Sequence, residues 1–297
     1  MGVRHIVVRT ALATLTAGAV LLGAAACADG GGNGTGNAGT PETPVAGTTE
    51  QRTIAVGSAE RDYAVHIPGV VDPEPDLVIA LHYWGGTMQE YIDGTSWSKL
   101  ADAGGFVVAF GSGNDKSWNA GDCCGTAMDG QSNDLGYIDA MIAALKEEFH
   151  PGRVLVAGTS NGAMMAQRYG CEGTEDVDVA SISGSLFVDC EGAPPRNVIM
   201  INGLLDETVR YDGEPGGNGG LIDGIPVPDA FAKWRQIDQC GEPSRADEDG
   251  GLVHVDSSEC ADGKRVELIT IDDVKHSWPS SRFDPIARVA EFYRLGG

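Results

Sequence analysis

The chain has 297 residues and is strongly acidic, with 43 aspartates and glutamates against 20 lysines and arginines and a formal net charge of −23. A chain of this length can bury a substantial core in one domain. The acidity favours solubility and excludes nucleic acids and acidic polymers as expected partners, because an acidic protein repels both.

The N-terminal segment predicts export. Arg4 and Arg9 give a positive start, residues 11–26 are small and apolar, and three alanines directly precede Cys27. This pattern is typical of a signal peptide over residues 1–26 and is too short for a comfortable membrane span. Small residues before a cysteine also resemble a lipobox, so we expect lipidation of Cys27 or, alternatively, simple cleavage nearby. Residues 27–50 predict a flexible Gly/Thr/Pro tether that would connect a lipid anchor, the only expected membrane contact, to the following domain.

Strand-like runs alternate with amphipathic helical segments from residue 51 to the end, without a visible repeat. Residues 54–56 and 63–67 predict an antiparallel hairpin, and further strands are predicted over 77–81, 107–110, 153–157, 197–201 and 266–271. Helices are predicted over 137–149, 163–169, 230–237 and 285–293. This alternation predicts an α/β protein whose mostly parallel sheet is covered by helices on both faces.

Residues 158–162, Gly-Thr-Ser-Asn-Gly, lie between a predicted strand and a predicted helix. A serine on such a tight strand-to-helix turn presents its Oγ above the sheet, and the flanking glycines suit a crowded backbone. The pentapeptide alone is weak, but its strand and helix favour Ser160 as a nucleophile. A serine hydroxyl needs a base and an orienting acid, which must come from elsewhere in the chain.

The acid is expected after a strand that lies between the serine and the base. Asp206 follows the strand over 197–201 on a short loop and is the preferred residue. Asp212 and Asp223 are weaker alternatives, because they lie at the edges of the Gly-rich stretch 213–220 or beyond it.

Six histidines are available as the base, and His276 is the preferred one. It follows the strand over 266–271 and precedes the last helix. The other five lie in the signal segment, in strands, at a helix end, or, for His82, at the end of the strand over 77–81. The order Ser160, Asp206, His276 is the one that the α/β-hydrolase fold imposes.

An oxyanion site in this fold combines two backbone N–H groups. One belongs to the residue after the nucleophile, Asn161. The other comes from the loop after an early strand, here residues 82–87, where Trp84 is the first choice and Tyr83 the second.

Four segments resemble the polyhydroxybutyrate depolymerase-type secreted esterases, which are related to feruloyl and acetylxylan esterases. They are residues 81–86, 117–125 (Ser-Trp-Asn-Ala-Gly-Asp-Cys-Cys-Gly), 158–165 and 275–279. The resemblance covers about residue 53 to the C-terminus and implies the α/β-hydrolase fold, with Ser160 as nucleophile, Asp206 as acid and His276 as base.

The chain departs from that family pattern in three places. Tyr83 replaces a glycine, Asn202 replaces a histidine, and residues 273–275 replace a glycine run before His276. These departures leave the catalytic groups in place and bear on the shape of the acyl pocket.

The six cysteines after Cys27 indicate disulfides in an exported protein. Cys240–Cys260 is the first expected pair and Cys171–Cys190 the second. Cys123 and Cys124 are then left to each other, although adjacent residues bridge poorly, so this pairing stays open. Their position on a long loop after residues 107–110 predicts a place at the substrate rim. No cysteine or histidine spacing indicates zinc, and we expect neither a metal nor another cofactor.

We therefore expect a secreted or cell-surface serine esterase that acts on a small or oligomeric ester. The resemblance implies short hydroxyalkanoate esters as substrates, with feruloyl or acetyl esters of polysaccharide as the alternative. Trp118 and Trp278 are candidates for the substrate cleft, and core packing is the equal alternative for such large aromatics. A rival of another class is a non-catalytic envelope-binding lipoprotein that uses the same fold.

Overall fold

The computed structural model describes residues 46–129, 132–217, 222–276 and 283–297. The predictions for the signal peptide, Cys27, Trp278 and most of the tether lie outside these residues. The strands are β1 (Thr48–Val56), β2 (Ala59–Ile67), β3 (Asp76–Leu81), β4 (Val107–Gly111), β5 (Arg153–Thr159), β6 (Asp178–Ile182), β7 (Val198–Gly203), β8 (Ser244–Glu248), β9 (Val253–Glu259) and β10 (Arg265–Ile271). The helices are α1 (Met88–Gly94), α2 (Trp97–Gly104), α3 (Asp134–Phe149), α4 (Asn161–Glu172), α5 (Val227–Ile237) and α6 (Pro285–Tyr293).

All the described strands belong to one sheet in the order β1-β2-β4-β3-β5-β6-β7-β10-β9-β8. The six strands from β4 to β10 in this order run parallel, and antiparallel strands extend the sheet at both edges. The predicted mostly parallel sheet is confirmed. The six parallel strands are buried on both faces, which is why they read as continuous apolar runs rather than as alternating ones.

β3 shows how the sheet separates two helical layers. Leu77, Ile79 and Leu81 face the core shared with α3, α4 and α5. Val78 and Ala80 face the opposite core, shared with α1, α2 and α6. Successive side chains of a strand point to opposite faces, so one short strand anchors both layers.

The register places the functional loops at one edge of the sheet. Leu81, the last residue of β3, pairs with Gly158 at the end of β5. Ile271, the last residue of β10, pairs with Gly203 at the end of β7. The carboxyl ends of parallel strands meet at one edge, so the loops that leave β3, β5, β7 and β10 converge there.

Two features of the structure differ from the sequence expectations. β1 begins at Thr48, which pairs with Ile67 of β2, so the sheet starts within the segment predicted as a tether. In addition, α1 and α2 lie between β3 and β4, where no helix was predicted. A capping box at Thr87 and Glu90 starts α1. None of the helices in the described part of the chain combines the length and apolarity needed to cross a membrane.

Asp238 is a buried carboxyl group at the C-terminal end of α5. Its Oδ1 accepts the backbone N–H of Arg196 at 3.1 Å, and its Oδ2 has no hydrogen-bond partner among the described residues. Burial raises its pKa to about 6, against the opposing influence of Arg196 and Lys264, and Asp178 adds to the rise. The folded protein therefore binds this proton more tightly than the unfolded chain does.

We predict that Asp238 makes the protein less stable as the pH rises from about 4 to above 6. Over this range the unfolded chain gives up the proton first, so the free energy of unfolding falls with pH. Asp238→Asn should reduce the decrease in the free energy of unfolding between pH 4.5 and pH 7.5 by about 2 kcal/mol, as measured by urea denaturation at both pH values. Asp229→Asn, which changes an exposed carboxyl on the same helix, is the control and should keep the wild-type slope. Equal slopes in the wild type and Asp238→Asn would contradict the prediction.

Candidate active site

Ser160 stands at the sharp turn between β5 and α4, as predicted. Its backbone has φ 55° and ψ −119°, a conformation that non-glycine residues rarely adopt. Gly158 packs against the backbone of Gly162, and Gly162 packs against the carbonyl groups of Leu81 and His82, so neither glycine has room for a Cβ. The two glycines thus allow β5, α4 and the end of β3 to come close enough for the turn.

Ser160, His276 and Asp206 form a continuous hydrogen-bonded chain. His276 Nε2 lies 2.8 Å from Ser160 Oγ, and His276 Nδ1 lies 2.7 Å from Asp206 Oδ2. The side chain of Asp206 is fully buried and that of His276 is 23% exposed, which leaves the imidazole open toward solvent. The two alternative acids lie elsewhere and do not bind His276. Asp212 is exposed and pairs with Arg210, and Asp223 lines a separate surface groove with Lys233.

The carboxylate of Asp206 is held on both oxygens. Its Oδ1 accepts the backbone N–H groups of Thr208 and Val209, each at 2.8 Å, which leaves Oδ2 for the imidazole. The acid loop is also fixed to the base loop, because Leu205 N–H donates to Val274 O at 3.0 Å. With Nδ1–H donated to the carboxylate, His276 Nε2 is free to accept the proton of Ser160.

Two segments that meet at the nucleophile turn carry backbone N–H groups, since Gly162 of α4 lies against the carbonyl groups of Leu81 and His82. Asn161 is the first residue of α4, so its N–H is among those that lack an acceptor within the helix and lies at the positive end of the helix dipole. In the loop after β3, Gly85 N–H donates to Lys116 O and Gly86 N–H donates to Tyr83 O. Among the described residues, the N–H groups of Tyr83 and Trp84 have no acceptor, so both predicted candidates keep a free donor.

Trp118 lies in the core and not in the wall of a cleft. Its side chain is fully buried and stacks on Tyr137, with ring centroids 6.2 Å apart. A substrate at the surface cannot reach this ring, so the cleft-lining role predicted for Trp118 is corrected to core packing. The second predicted aromatic, Trp278, lies outside the described residues.

The disulfides join Cys240 with Cys260, Cys171 with Cys190, and Cys123 with Cys124. The first two pairs are those expected, and the third resolves the open pairing. The expectation that Cys123 and Cys124 lie at the substrate rim is wrong, because both are buried beneath the nucleophile helix. Cys124 Sγ contacts Met164 Sδ of α4 at 3.9 Å.

One group of potential metal ligands occurs in the described part of the chain. Asp238, Cys240 and Cys260 bring ligand atoms within 4.8 Å of one another. The two sulfurs are joined in a disulfide, so this group does not offer the thiolates that bind a metal.

Two depressions border the hydrogen-bonded chain. The tyrosine cleft, of about 220 Å³, is lined by Tyr83, Tyr91, Thr95, Thr159, Pro285 and Ile286 among others. The acid-loop groove, of about 670 Å³, is lined by Leu204, Leu205, Asp206, Arg210, Tyr211 and Lys275 among others. Tyr91, whose hydroxyl pairs with Thr159 Oγ1 at 2.9 Å, was not predicted as a residue of this region, because the capping box of Thr87 and Glu90 marks only the start of a helix and gives no role to the tyrosine.

The chain is similar to curated esterases over less than half of its length. It is 35% identical over 130 residues to an acetylxylan esterase of Coprinopsis cinerea, a match that covers 42% of this chain and 35% of that protein. It is 27% identical over 104 residues to a probable acetylxylan esterase A of Aspergillus clavatus, a match that covers 34% of each. The chain thus spans about a third of the length of these curated relatives. No family model matches it.

Solved structures resemble most of the chain. An acetyl xylan esterase from Aspergillus awamori matches 84% of this chain and 99% of its own, with a TM-score of 0.59 and 14% identity. A feruloyl esterase module from Clostridium thermocellum matches 80% of this chain and 84% of its own, with a TM-score of 0.56 and 10% identity. These likenesses confirm the predicted α/β-hydrolase fold.

We predict that a fluorophosphonate reagent labels the native protein at Ser160, because this hydroxyl is hydrogen-bonded to an imidazole that can take its proton. Intact-mass analysis and peptide mapping measure the label. Ser160→Ala should not react, and Ser185→Ala is the matched control because Ser185 is a buried serine that donates to a carbonyl, Ile225 O, instead of a histidine. Equal labelling of Ser160→Ala and the wild type would assign the reactivity to another group.

Proposed function

We propose that this protein is a serine ester hydrolase. The observation that carries the proposal is the chain from Asp206 through His276 to Ser160, with contacts of 2.7 and 2.8 Å. A buried acid, an imidazole and a hydroxyl in this order are the groups that nucleophilic acyl transfer requires. The local similarity to acetylxylan esterases supports the same reaction class.

In the proposed reaction, Ser160 Oγ attacks the ester carbonyl carbon while its proton passes to His276 Nε2. The carbonyl electron pair moves to oxygen, and the backbone N–H groups of Asn161 and Trp84 stabilise the resulting oxyanion. Asp206 stabilises the imidazolium, which then protonates the departing alcohol. Water, activated by the same imidazole, attacks the acyl-enzyme and releases the acid.

For the substrate we propose an acetyl or other small acyl ester of a polysaccharide. The curated relatives carry acetylxylan esterase in their names, which favours this class over the hydroxyalkanoate esters that the sequence motifs first suggested. Feruloyl esters of polysaccharide are the alternative, because a feruloyl esterase module shares the fold.

The acid-loop groove is the wider of the two depressions, and Arg210, Tyr211 and Lys275 give it polar groups that suit the hydroxyls of a sugar chain. We propose that the alcohol part of the substrate lies along this groove. The acyl group then lies toward the smaller cleft of Tyr83 and Thr159, whose volume suits a short acyl chain.

We also propose that the protein acts outside the cytoplasm. The apolar N-terminal segment with its arginines and the three disulfides of the described domain support export. Lipidation of Cys27 stays a prediction that follows from the small residues before it.

We predict that Asp206→Asn lowers kcat for ester hydrolysis about 10⁴-fold. The amide oxygen would keep the two backbone N–H groups that Oδ1 now accepts, so the amide NH₂ would face His276 Nδ1. That arrangement places the imidazole proton on Nε2, which then cannot accept the serine proton. Steady-state kinetics with p-nitrophenyl acetate measure the effect.

Asp212→Asn is the control for this prediction. Asp212 is exposed and bound to Arg210, and it was the alternative acid in the sequence. Its substitution should leave kcat within about twofold of the wild type, as for most exposed residues away from a site. A larger loss in Asp212→Asn than in Asp206→Asn would overturn the assignment of the acid.

The proposed substrate is tested by comparing acetylated xylo-oligosaccharides, methyl ferulate and hydroxybutyrate oligomers at equal concentration, with Ser160→Ala as the blank. We expect the highest kcat/KM for the acetylated oligosaccharides, measured as acetate released. A higher kcat/KM for hydroxybutyrate oligomers would restore the original substrate prediction. Wild-type rates no higher than those of Ser160→Ala on all three would favour the non-catalytic binding protein.

A further inference from the structure

Trp118 is bound to both segments that supply the proposed oxyanion donors. Its indole Nε1–H donates to His82 O, at the start of the loop after β3, at 2.8 Å. Its backbone N–H donates to Asn161 Oδ1 at 2.7 Å, and its backbone O accepts from Asn161 Nδ2 at 2.9 Å. Trp118, His82 and Asn161 are all at most 1% exposed, so these bonds are shielded from water.

The side chain of Asn161 is therefore committed to Trp118 and does not face a substrate. Both of its polar atoms pair with the backbone of one residue, as two strands pair in a sheet. This pairing fixes the first residue of α4, whose backbone N–H is the first proposed donor. A change in the position of Trp118 would move that donor.

His82 stabilises the other segment, the loop after β3. Its Nδ1–H donates to Tyr83 O at 2.8 Å, and its Nε2 accepts the backbone N–H of Gly113 at 3.0 Å. Burial lowers the pKa of His82, which favours the neutral ring that this pattern needs. The His82 ring also contacts the Trp118 ring, with centroids 5.1 Å apart. His82 thus connects the loop that carries Tyr83 and Trp84 to Trp118 and to Gly113, which follows β4.

The loop that follows Trp118 is hydrogen-bonded to the Trp118 backbone. Cys124 N–H donates to Trp118 O at 3.4 Å, and Ala120 N–H donates to Cys123 O at 2.7 Å. The disulfide of Cys123 and Cys124 closes this loop against Met164 on the nucleophile helix. Trp118 consequently lies between α4, the loop after β3 and its own disulfide loop.

We propose that Trp118 is a positioning residue that sets the distance between the two oxyanion donors, one on each segment it binds. This inference rests on the proposed ester hydrolase function. An oxyanion site works only when both N–H groups lie at hydrogen-bond distance from the place where the negative charge develops. A single buried residue that is bonded to both segments fixes that distance more tightly than separate contacts to each would.

Trp118→Phe tests the proposal because it removes the indole N–H and leaves the backbone pairing with Asn161. We expect kcat to fall at least about tenfold, with KM changed less than about threefold, because the loss concerns the transition state. Affinity for a boronic acid inhibitor, which forms a tetrahedral anion on the serine, should fall by the same factor as kcat/KM. A residue with only a structural role would lower stability without this parallel loss.

Trp234→Phe is the matched control. Trp234 is also fully buried in the same core, and its Nε1–H donates to Gln167 Oε1 at 3.1 Å, away from the site. The melting temperature of Trp234→Phe should fall about as much as that of Trp118→Phe, whereas its kcat should stay at the wild-type value. If Trp118→Phe does not fold, 3-benzothienylalanine at position 118 keeps the size of the bicyclic ring and lacks only the donor.

The outcomes separate this inference from the proposed function. An inactive wild type would overturn the ester hydrolase itself. An active wild type whose kcat and boronic acid affinity are unchanged in the Trp118 variant, or fall equally in Trp234→Phe, would overturn the positioning role alone. Fluorophosphonate labelling of Ser160 in the Trp118 variant checks that the nucleophile is still intact.

Discussion

The close approach of β3 to the nucleophile turn is the constraint on which the site depends. Leu81 pairs with Gly158 where the two strands end, and the backbone of Gly162 lies against the carbonyl groups of Leu81 and His82. This contact holds Ser160 in a backbone conformation that costs on the order of 1–3 kcal/mol. The Ser160 N–H, which donates to Ile182 O at 2.8 Å, contributes to holding it there. The packing of β3 against β5 and α4 therefore places the serine next to the loop after β3, independently of the side chains of the site.

The second requirement is a buried carboxylate whose oxygens accept hydrogen bonds from the protein in place of water. An ionised group in the interior is costly unless hydrogen bonds replace its hydration. Asp206 accepts from Thr208 N–H and Val209 N–H on one oxygen and from the imidazole of His276 on the other. The donors come from its own loop, so a short segment after β7 supplies the acid together with its environment. Asp238 is also a buried carboxyl group, but its Oδ2 has no hydrogen-bond partner among the described residues, and burial raises its pKa to about 6.

The three departures from the esterase pattern have different structural meanings. Tyr83 is 40% exposed and lines the tyrosine cleft, so this replacement changes the wall of a depression next to the serine. Asn202 is buried and its Nδ2 donates to Gly184 O at 3.1 Å, which makes it a core contact. Val274 accepts a backbone hydrogen bond from Leu205 and so connects the base loop to the acid loop. The first and third departures reach surfaces that a substrate could touch, since Tyr83 lines the tyrosine cleft and Lys275 lines the acid-loop groove.

The amino-acid sequence is enough to predict the alternation of strands and helices, the nucleophile turn and the order of Ser160, Asp206 and His276. These features are local: apolar runs, flanking glycines and the position of a residue after a strand are all visible along the chain. Only the tertiary structure decided that Asp206 rather than Asp212 or Asp223 meets His276, and that Trp118 is buried rather than exposed. Each of these depends on contacts between residues far apart in sequence, such as the bond from the Trp118 indole to His82 across 36 residues and its backbone pairing with Asn161 across 43. A sequence pattern reports what one segment prefers, whereas packing between segments decides which side chains meet.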